Sequence, residues 1–236
     1  MKRPGFTLVE CLVGLALSMV IVVAGLEFFA RAERTFVRLK RREEAGQAAL
    51  AALDRMRIDL LHAGRGLFPE IGLGLVEAAE VTPDGLRTTS LEKELALAAA
   101  AVAGDSRLSL ASTAEIAAGQ RIALREDGAG EVVTVVRVET GAVVLDAPLG
   151  RSYAPDTTRL SLLELVTYFL DGPGRILRRR VNAAPAQPLL EAAAAASWSL
   201  DPDAPLVRIR LELAIEGAHP HEATVFLKNP ALARWE

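Results

Sequence analysis

Glu10 is the one charge in an apolar run from Phe6 to Leu26, and a carboxylate in that setting needs a partner. On an insertion scale an acidic side chain deep in a membrane helix costs about 2.5–3.5 kcal/mol, and less near the interface. Nothing inside the run neutralises it. A counter-charge on another molecule would, so Glu10 points to a multi-subunit assembly. The plainer role is a carboxylate that snorkels to the interface. Lys2 and Arg3, followed by Pro4-Gly5, stand directly before the run.

Other groupings offer less. Ser90-Leu91-Glu92-Lys93 has the Ser-x-x-Lys spacing that, on one helical turn, lets a lysine activate a serine. The motifs that accompany it in such enzymes are missing. His219-Pro220-His221 offers two imidazoles split by a proline, with no further histidine nearby to complete a metal set. Glu126-Asp127 and Asp171-Gly172 lack the alternating oxygen ligands of a calcium loop and read as turns. No glycine-rich phosphate loop with its lysine is present. Arg178-Arg179-Arg180 falls in a strand pattern, so its charges divide between two faces, which is weak support for nucleic acid or an acidic partner. No catalytic residue, metal site or cofactor is therefore expected, and the chain reads as a non-enzyme.

Composition fits an anchored protein. The 236 residues leave room for an anchor and one sizeable domain, and the formal net charge of −3 argues against a polycation built for nucleic acid. The 51% hydrophobic content is inflated by the apolar run and by alanine tracts. The single cysteine, Cys11, lies within the run, so an intrachain disulfide is excluded and packing against lipid or another helix is its expected role. Leu8-Val9-Glu10 before it does not fit a lipobox.

These residues must be positioned by a helix and a set of strands. Phe6 to Leu26 is long enough, at roughly 31 Å as a helix, to cross a hydrocarbon core. Length alone would fit a plain signal-anchor. A cleavable secretory signal would have a shorter apolar region, and Ala24-Gly25 is followed by Leu26, Glu27 and further helical pattern. From Glu27 to about His62 there is no proline and one glycine, Gly46. Phe29, Phe36, Leu39, Leu50, Leu53, Ile58, Leu60 and Leu61 predict an amphipathic continuation, with Ala63-Gly64-Arg65-Gly66 as its stop. Its second half is expected to pack on a β-sheet and its first half on other subunits.

Beyond Gly66 the pattern predicts strands. Val76–Val81 and Leu86–Thr88 flank the turn Thr82-Pro83-Asp84-Gly85. Leu95–Ala103 reads as helix or loop. Arg107–Leu110, Gln120–Arg125, Glu131–Glu139 and Ala142–Leu145 read as four strands, making residues 105–150 a compact inserted β subdomain. Leu160–Leu170 turns through Asp171-Gly172-Pro173-Gly174 into Arg175–Val181. Leu206–Ile215 and Glu222–Lys228 close the domain as a hairpin. The expected fold class is α+β: a long N-terminal helix, membrane-spanning in its first half, on an antiparallel β-sheet head.

Gly5-Phe6-Thr7-Leu8-Val9-Glu10, with its short basic leader and apolar run, resembles the class III signal of type IV pilins and type II secretion pseudopilins. The resemblance implies a leader of residues 1–5, a transmembrane and assembly helix over 6–26, its amphipathic continuation over 27–63 and a head over 64–236. It implies that prepilin peptidase cuts between Gly5 and Phe6 on the cytoplasmic side and methylates Phe6. It also implies that Glu10 meets the terminal amine of a neighbouring subunit and so sets the axial register. Leu53-Asp54-Arg55-Met56-Arg57-Ile58-Asp59-Leu60-Leu61-His62-Ala63-Gly64, Val166-Thr167-Tyr168-Phe169-Leu170-Asp171 and Gln187-Pro188-Leu189-Leu190-Glu191 are similar to segments of the larger minor pilins of the PilW type. The J-type minor pseudopilins of type II secretion share a similar order of elements. Ala192–Ala196 departs from both, lacking their hydrophobic–aromatic alternation.

Such a protein is a subunit of a tip or initiation complex. It is held in the inner membrane with its head in the periplasm, then passed into a pilus or pseudopilus. Its implied partners are other minor pilins or pseudopilins, the peptidase, the inner-membrane assembly platform and membrane lipid; a DNA-capturing competence pilin is a further form. Lys2 and Arg3 favour a cytoplasmic N-terminus, whereas the cations at 31, 34, 38, 40, 41 and 42 oppose export of the other end under the positive-inside rule. A membrane-anchored periplasmic enzyme or binding protein is the alternative of another class, and it would need a cavity with converging polar groups.

Overall fold

The computed structural model describes residues 7–215 and 217–233. The chain is α+β, one long N-terminal helix followed by an antiparallel β-sheet domain. Helix α1 spans Leu8–His62. It ends at the predicted stop: Gly64 holds a φ of +75°, a left-handed conformation that costs glycine nothing. The Gly64 amide donates to the Thr89 carbonyl at 2.7 Å, which ties the helix end to a strand.

Two compact units divide the chain, Met1–Gln47 and Ala48–Glu236. The division falls inside the stretch 27–63 that periodicity alone treats as one segment. In the first unit no described residue is buried. In the second, the helix buries Ala49, Ala52, Leu53, Met56, Asp59 and Leu60, a stripe at helical spacing. This corrects the predicted face. Leu50, Ile58 and Leu61 are exposed, and two alanines, a methionine and an aspartate stand in the interior instead.

After α1 come α2 (Phe68–Gly72) and the strands β1 (Ala79–Thr82), β2 (Gly85–Leu95), β3 (Arg107–Ser109), β4 (Arg121–Glu126), β5 (Ala129–Glu139) and β6 (Ala142–Leu145). They are followed by β7 (Arg159–Asp171), β8 (Ile176–Val181), β9 (Gln187–Leu190), β10 (Ala193–Leu200), β11 (Leu206–Leu213), β12 (His221–Phe226) and the helix α3 (Lys228–Ala233). Among the described residues nine strands form one sheet along the path β1-β2-β7-β4-β5-β6-β3, with β8 and β9 branching from β7, and β10-β11-β12 form a second sheet.

Strand β7 organises the head because its length serves two neighbours on one edge. Its first half, Arg159–Leu163, pairs with β4, and its second half, Val166–Asp171, pairs with β8. The other edge pairs with β2. The halves feed different cores. Leu160 and Leu162 join Leu108, Ile122, Leu124, Val135 and Val143. Val166 and Tyr168 join the helix stripe together with Leu86, Leu177, Ile209, Leu211 and Val225. The stretch 105–150 therefore has its own core, but the pairing of β4 with β7 makes it an extension of the main sheet rather than a separate subdomain. Gly85 begins β2 where the backbone passes close to the Tyr168 carbonyl, and a Cβ there would collide with that oxygen.

Four further elements differ from the pattern reading. Leu95–Ala103 is not helical; beyond the end of β2 it is held by isolated bridges from Leu97 to Leu110 and from Ala101 to Tyr153. The alanine run becomes strand β10, paired with β11 across an irregularity between Ala193 and Ala195. Neighbouring strands override the low β preference of alanine there. The short helices α2 and α3 were not foreseen, and α3 takes Lys228 out of the last predicted strand.

Candidate functional site

Gly5 and Phe6, the expected cleavage and methylation residues, lie outside the described residues. Glu10 lies within them and is locally engaged. Its Oε2 accepts from the Thr7 amide at 2.9 Å and from the Thr7 hydroxyl at 2.8 Å, and the Glu10 amide donates back to Thr7 Oγ1 at 3.4 Å. This is a reciprocal capping box on the first turn of α1, with Thr7 at the N-cap and Glu10 three residues on. It satisfies two backbone donors that a helix start leaves unpaired and sets an anion at the positive end of the helix dipole. Among the described residues Glu10 Oε1 has no partner, so the carboxylate keeps acceptor capacity for another group. The signal was legible as Thr-x-x-Glu, but the sequence reading gave Glu10 an external partner only.

The segment behind the cap meets the length and apolar character needed to cross a membrane. Leu15, Val20, Ile21 and Leu26 are all exposed, as is Cys11. Within the basic stretch that follows, Arg31 pairs with Glu27 at 3.5 Å and Lys40 with Glu44 at 3.8 Å, one helical turn apart. These are exposed pairs of small worth.

In the head the notable polar cluster centres on Asp59, 8% exposed on the buried stripe of α1. The Tyr168 hydroxyl and Arg179 Nε both donate to its Oδ2, the latter at 2.7 Å, and Arg55 lies 3.5 Å from its Oδ1. The cluster joins helix to β7 and β8. Burial first, then the hydrogen bond to Asp59, pushes the Tyr168 hydroxyl well above the ordinary phenol range. A buried carboxylate requires such partners. The sequence reading quoted the Asp59 and Tyr168 segments separately and missed the contact, because nothing in a sequence pairs residues 109 positions apart.

The remaining candidates have been given other work by the fold. Ser90 and Lys93 sit on β2 across a bulge between Leu91 and Lys93, not on a helical turn. Ser90 donates to Glu164 at 3.2 Å and Lys93 pairs with Glu115 at 2.7 Å, so lysine and serine do not meet as base and nucleophile. The Lys93 hydrogen bond also holds the Glu115 carboxyl below its usual range. Arg178 pairs with Asp171 at 3.0 Å, Arg179 with Asp59, and the Arg180 guanidinium lies 5.5 Å from the Phe169 ring centre. All three arginines thus have partners within the chain. Glu126 accepts from the Ala154 amide and the Thr157 hydroxyl, and Asp127 turns the chain at a φ of +49°. His221 opens β12 opposite Leu211. Among the described residues no group of three or more His, Cys, Asp or Glu is placed to hold a metal.

No protein-family model matches this chain, and no curated protein matches it. Among solved structures it is similar to the tailspike of Acinetobacter baumannii bacteriophage AP22, in complex with A. baumannii capsular saccharide, at 16% identity and a TM-score of 0.29. That likeness covers 34% of this chain and 15% of the tailspike and carries no argument about fold or function.

Proposed function

We propose that the chain is a minor pilin of the type IV pilin superfamily. It is a non-enzymatic subunit, cut by prepilin peptidase between Gly5 and Phe6, methylated at Phe6 and assembled through its N-terminal helix. The observation that carries the reading is the motif Gly5-Phe6-Thr7-Leu8-Val9-Glu10 directly before a helix whose membrane-length apolar segment is wholly exposed. The capping box supports it further. It keeps the Glu10 carboxylate at the helix start, one turn from where the new α-amine of Phe6 would form, with one oxygen still free among the described residues. An amine–carboxylate contact between neighbours would offset part of the cost of a charge in lipid. On this reading the head is a partner surface with neither active site nor cofactor. It waits on the periplasmic side of the inner membrane for other minor pilins and the assembly platform.

Two substitutions separate the roles of Glu10. Glu10→Ala removes both cap and charge; processing is expected to continue while incorporation into the filament fraction falls. Glu10→Gln preserves a capping side chain but not the charge. Incorporation of Glu10→Gln at the Glu10→Ala level, scored by immunoblot of sheared filaments, assigns the loss to the ion pair. Normal incorporation of both variants would remove Glu10 from assembly.

A further inference from the structure

Among the described residues three buried side-chain atoms have no hydrogen-bond partner: Glu70 Oε2, Thr158 Oγ1 and Trp198 Nε1. Glu70 and Thr158 line one cleft in the head, about 300 Å³ in volume, shared by α2, β4 and the start of β7. Buried polar atoms are paired in the great majority of cases. Two orphans lining one space therefore mark a place where something other than this chain completes the bonds.

Glu70 is held in that position by the fold. Leu67, just before α2, is fully buried in a small cluster with Val76, Ala123 and Leu163, which seats the helix against the sheet. The Glu70 side chain is only 3% exposed. Its Oε1 accepts from Ser161 Oγ at 3.3 Å and from Arg125 Nε at 3.4 Å, both long bonds. Oε2 receives nothing.

The chemistry of these two atoms selects the ligand. A carboxylate oxygen only accepts, so the missing group must carry N–H or O–H donors, and a hydroxyl such as Thr158 can accept as well. Glu94 and Asp156 add two more carboxylates to the lining, against Arg125, already bonded to Glu70, and Arg159. The balance favours a positively charged donor. Since no group of carboxylates, histidines or cysteines among the described residues is placed to hold a metal, the fitting cation is one that brings its own N–H bonds. An ammonium is compact and has three donors.

We propose that this cleft binds a primary alkylammonium group, donating to Glu70 Oε2 and Thr158 Oγ1 and supplied either by a small free amine or by a lysine side chain. The inference is independent of the role given to the N-terminal segment. Ordered water could also complete the bonds, and the two occupants respond differently to donor-bearing cations.

The test titrates the full-length chain in detergent micelles by calorimetry at constant ionic strength. The probes are n-butylammonium, Nα-acetyl-lysine amide and tetramethylammonium, which has the same charge and no N–H. Saturable one-site binding of butylammonium is expected, with none of tetramethylammonium. Glu70→Gln should weaken it by about tenfold or more, and Thr158→Val by roughly threefold to tenfold, with circular dichroism unchanged. Binding of butylammonium alone assigns the source to small amines; binding of the lysine derivative assigns it to a protein side chain. Absence of saturable binding of both amines, equal binding of tetramethylammonium, or unchanged affinity in either folded variant overturns the proposal. Should Glu70→Gln fail to fold, the Thr158→Val titration and the tetramethylammonium comparison decide the matter.

Discussion

Helix α1 is one continuous element with two kinds of surface. Up to Gln47 no described residue is buried, and leucines and isoleucines such as Leu15 and Ile21 stand about as exposed as the arginines that follow. From Ala49 onward a narrow stripe is sealed, with Met56 and Leu60 at 0% exposure, and the opposite face stays open. The same backbone geometry thus serves two solvents. In the first unit the apolar side chains encircle the helix, a pattern that suits lipid or other helices. In the second, small residues let the sheets approach, and a single aspartate carries the polar link to them. A hydrophobic fraction taken over the whole chain merges these two populations and describes neither.

The sharpest way to break this contrast is at Asp59. Asp59→Ala leaves Arg179 and Tyr168 without their shared acceptor, and loss of one partner of a buried pair costs about 3–5 kcal/mol. Denaturant unfolding of the full chain in detergent measures it. A loss below about 1 kcal/mol would mean that the cluster does not hold helix to sheet. Next in size is a pair of truncations on one helix. Leu60→Ala is expected to cost about 2–5 kcal/mol, and Leu50→Ala, on the open face, to stay within about 0.5 kcal/mol. Equal losses would place the buried stripe elsewhere.

A smaller effect tests the Tyr168 hydroxyl. The folded state holds this proton more tightly than the unfolded chain does, because burial and Asp59 both disfavour the phenolate. Its contribution is therefore complete below the unfolded phenol pKa of about 10 and declines as pH rises beyond it. Tyr168→Phe should lower stability at neutral pH by about 1 kcal/mol and flatten the alkaline decline. A wild-type profile that matches the variant above pH ~10 would show that Tyr168 is not linked to stability.

Much of the strand order was legible because alternation and turn residues are local signals. β6 was predicted residue for residue as Ala142–Leu145, and the helix stop at Ala63-Gly64 follows from glycine chemistry. The buried face of α1 was not legible. Alanine scores weakly in a hydrophobic pattern, so Ala49 and Ala52 were passed over for Leu50 and Ile58, which are larger but face outward. Strand β10 was hidden for the same reason, since its pairing with β11, not its composition, makes it a strand. The attachment of β4 to β7 depends on the length of β7, which offers one edge to two partners. At the candidate site Glu10 was recognised and its Thr7 cap was not, although both residues stood in the motif. The Glu70 cleft had no sequence signal, because an unpaired oxygen exists only once its neighbours are placed.

The central claim concerns the other end of the chain, and intact-mass and peptide mass spectrometry of the mature N-terminus tests it most directly. In cells with a working prepilin peptidase the account predicts a polypeptide that begins at Phe6 and carries one N-methyl group, and in cells without the enzyme a chain that retains Lys2 to Gly5. A chain that still carries its leader in the presence of active peptidase would contradict it.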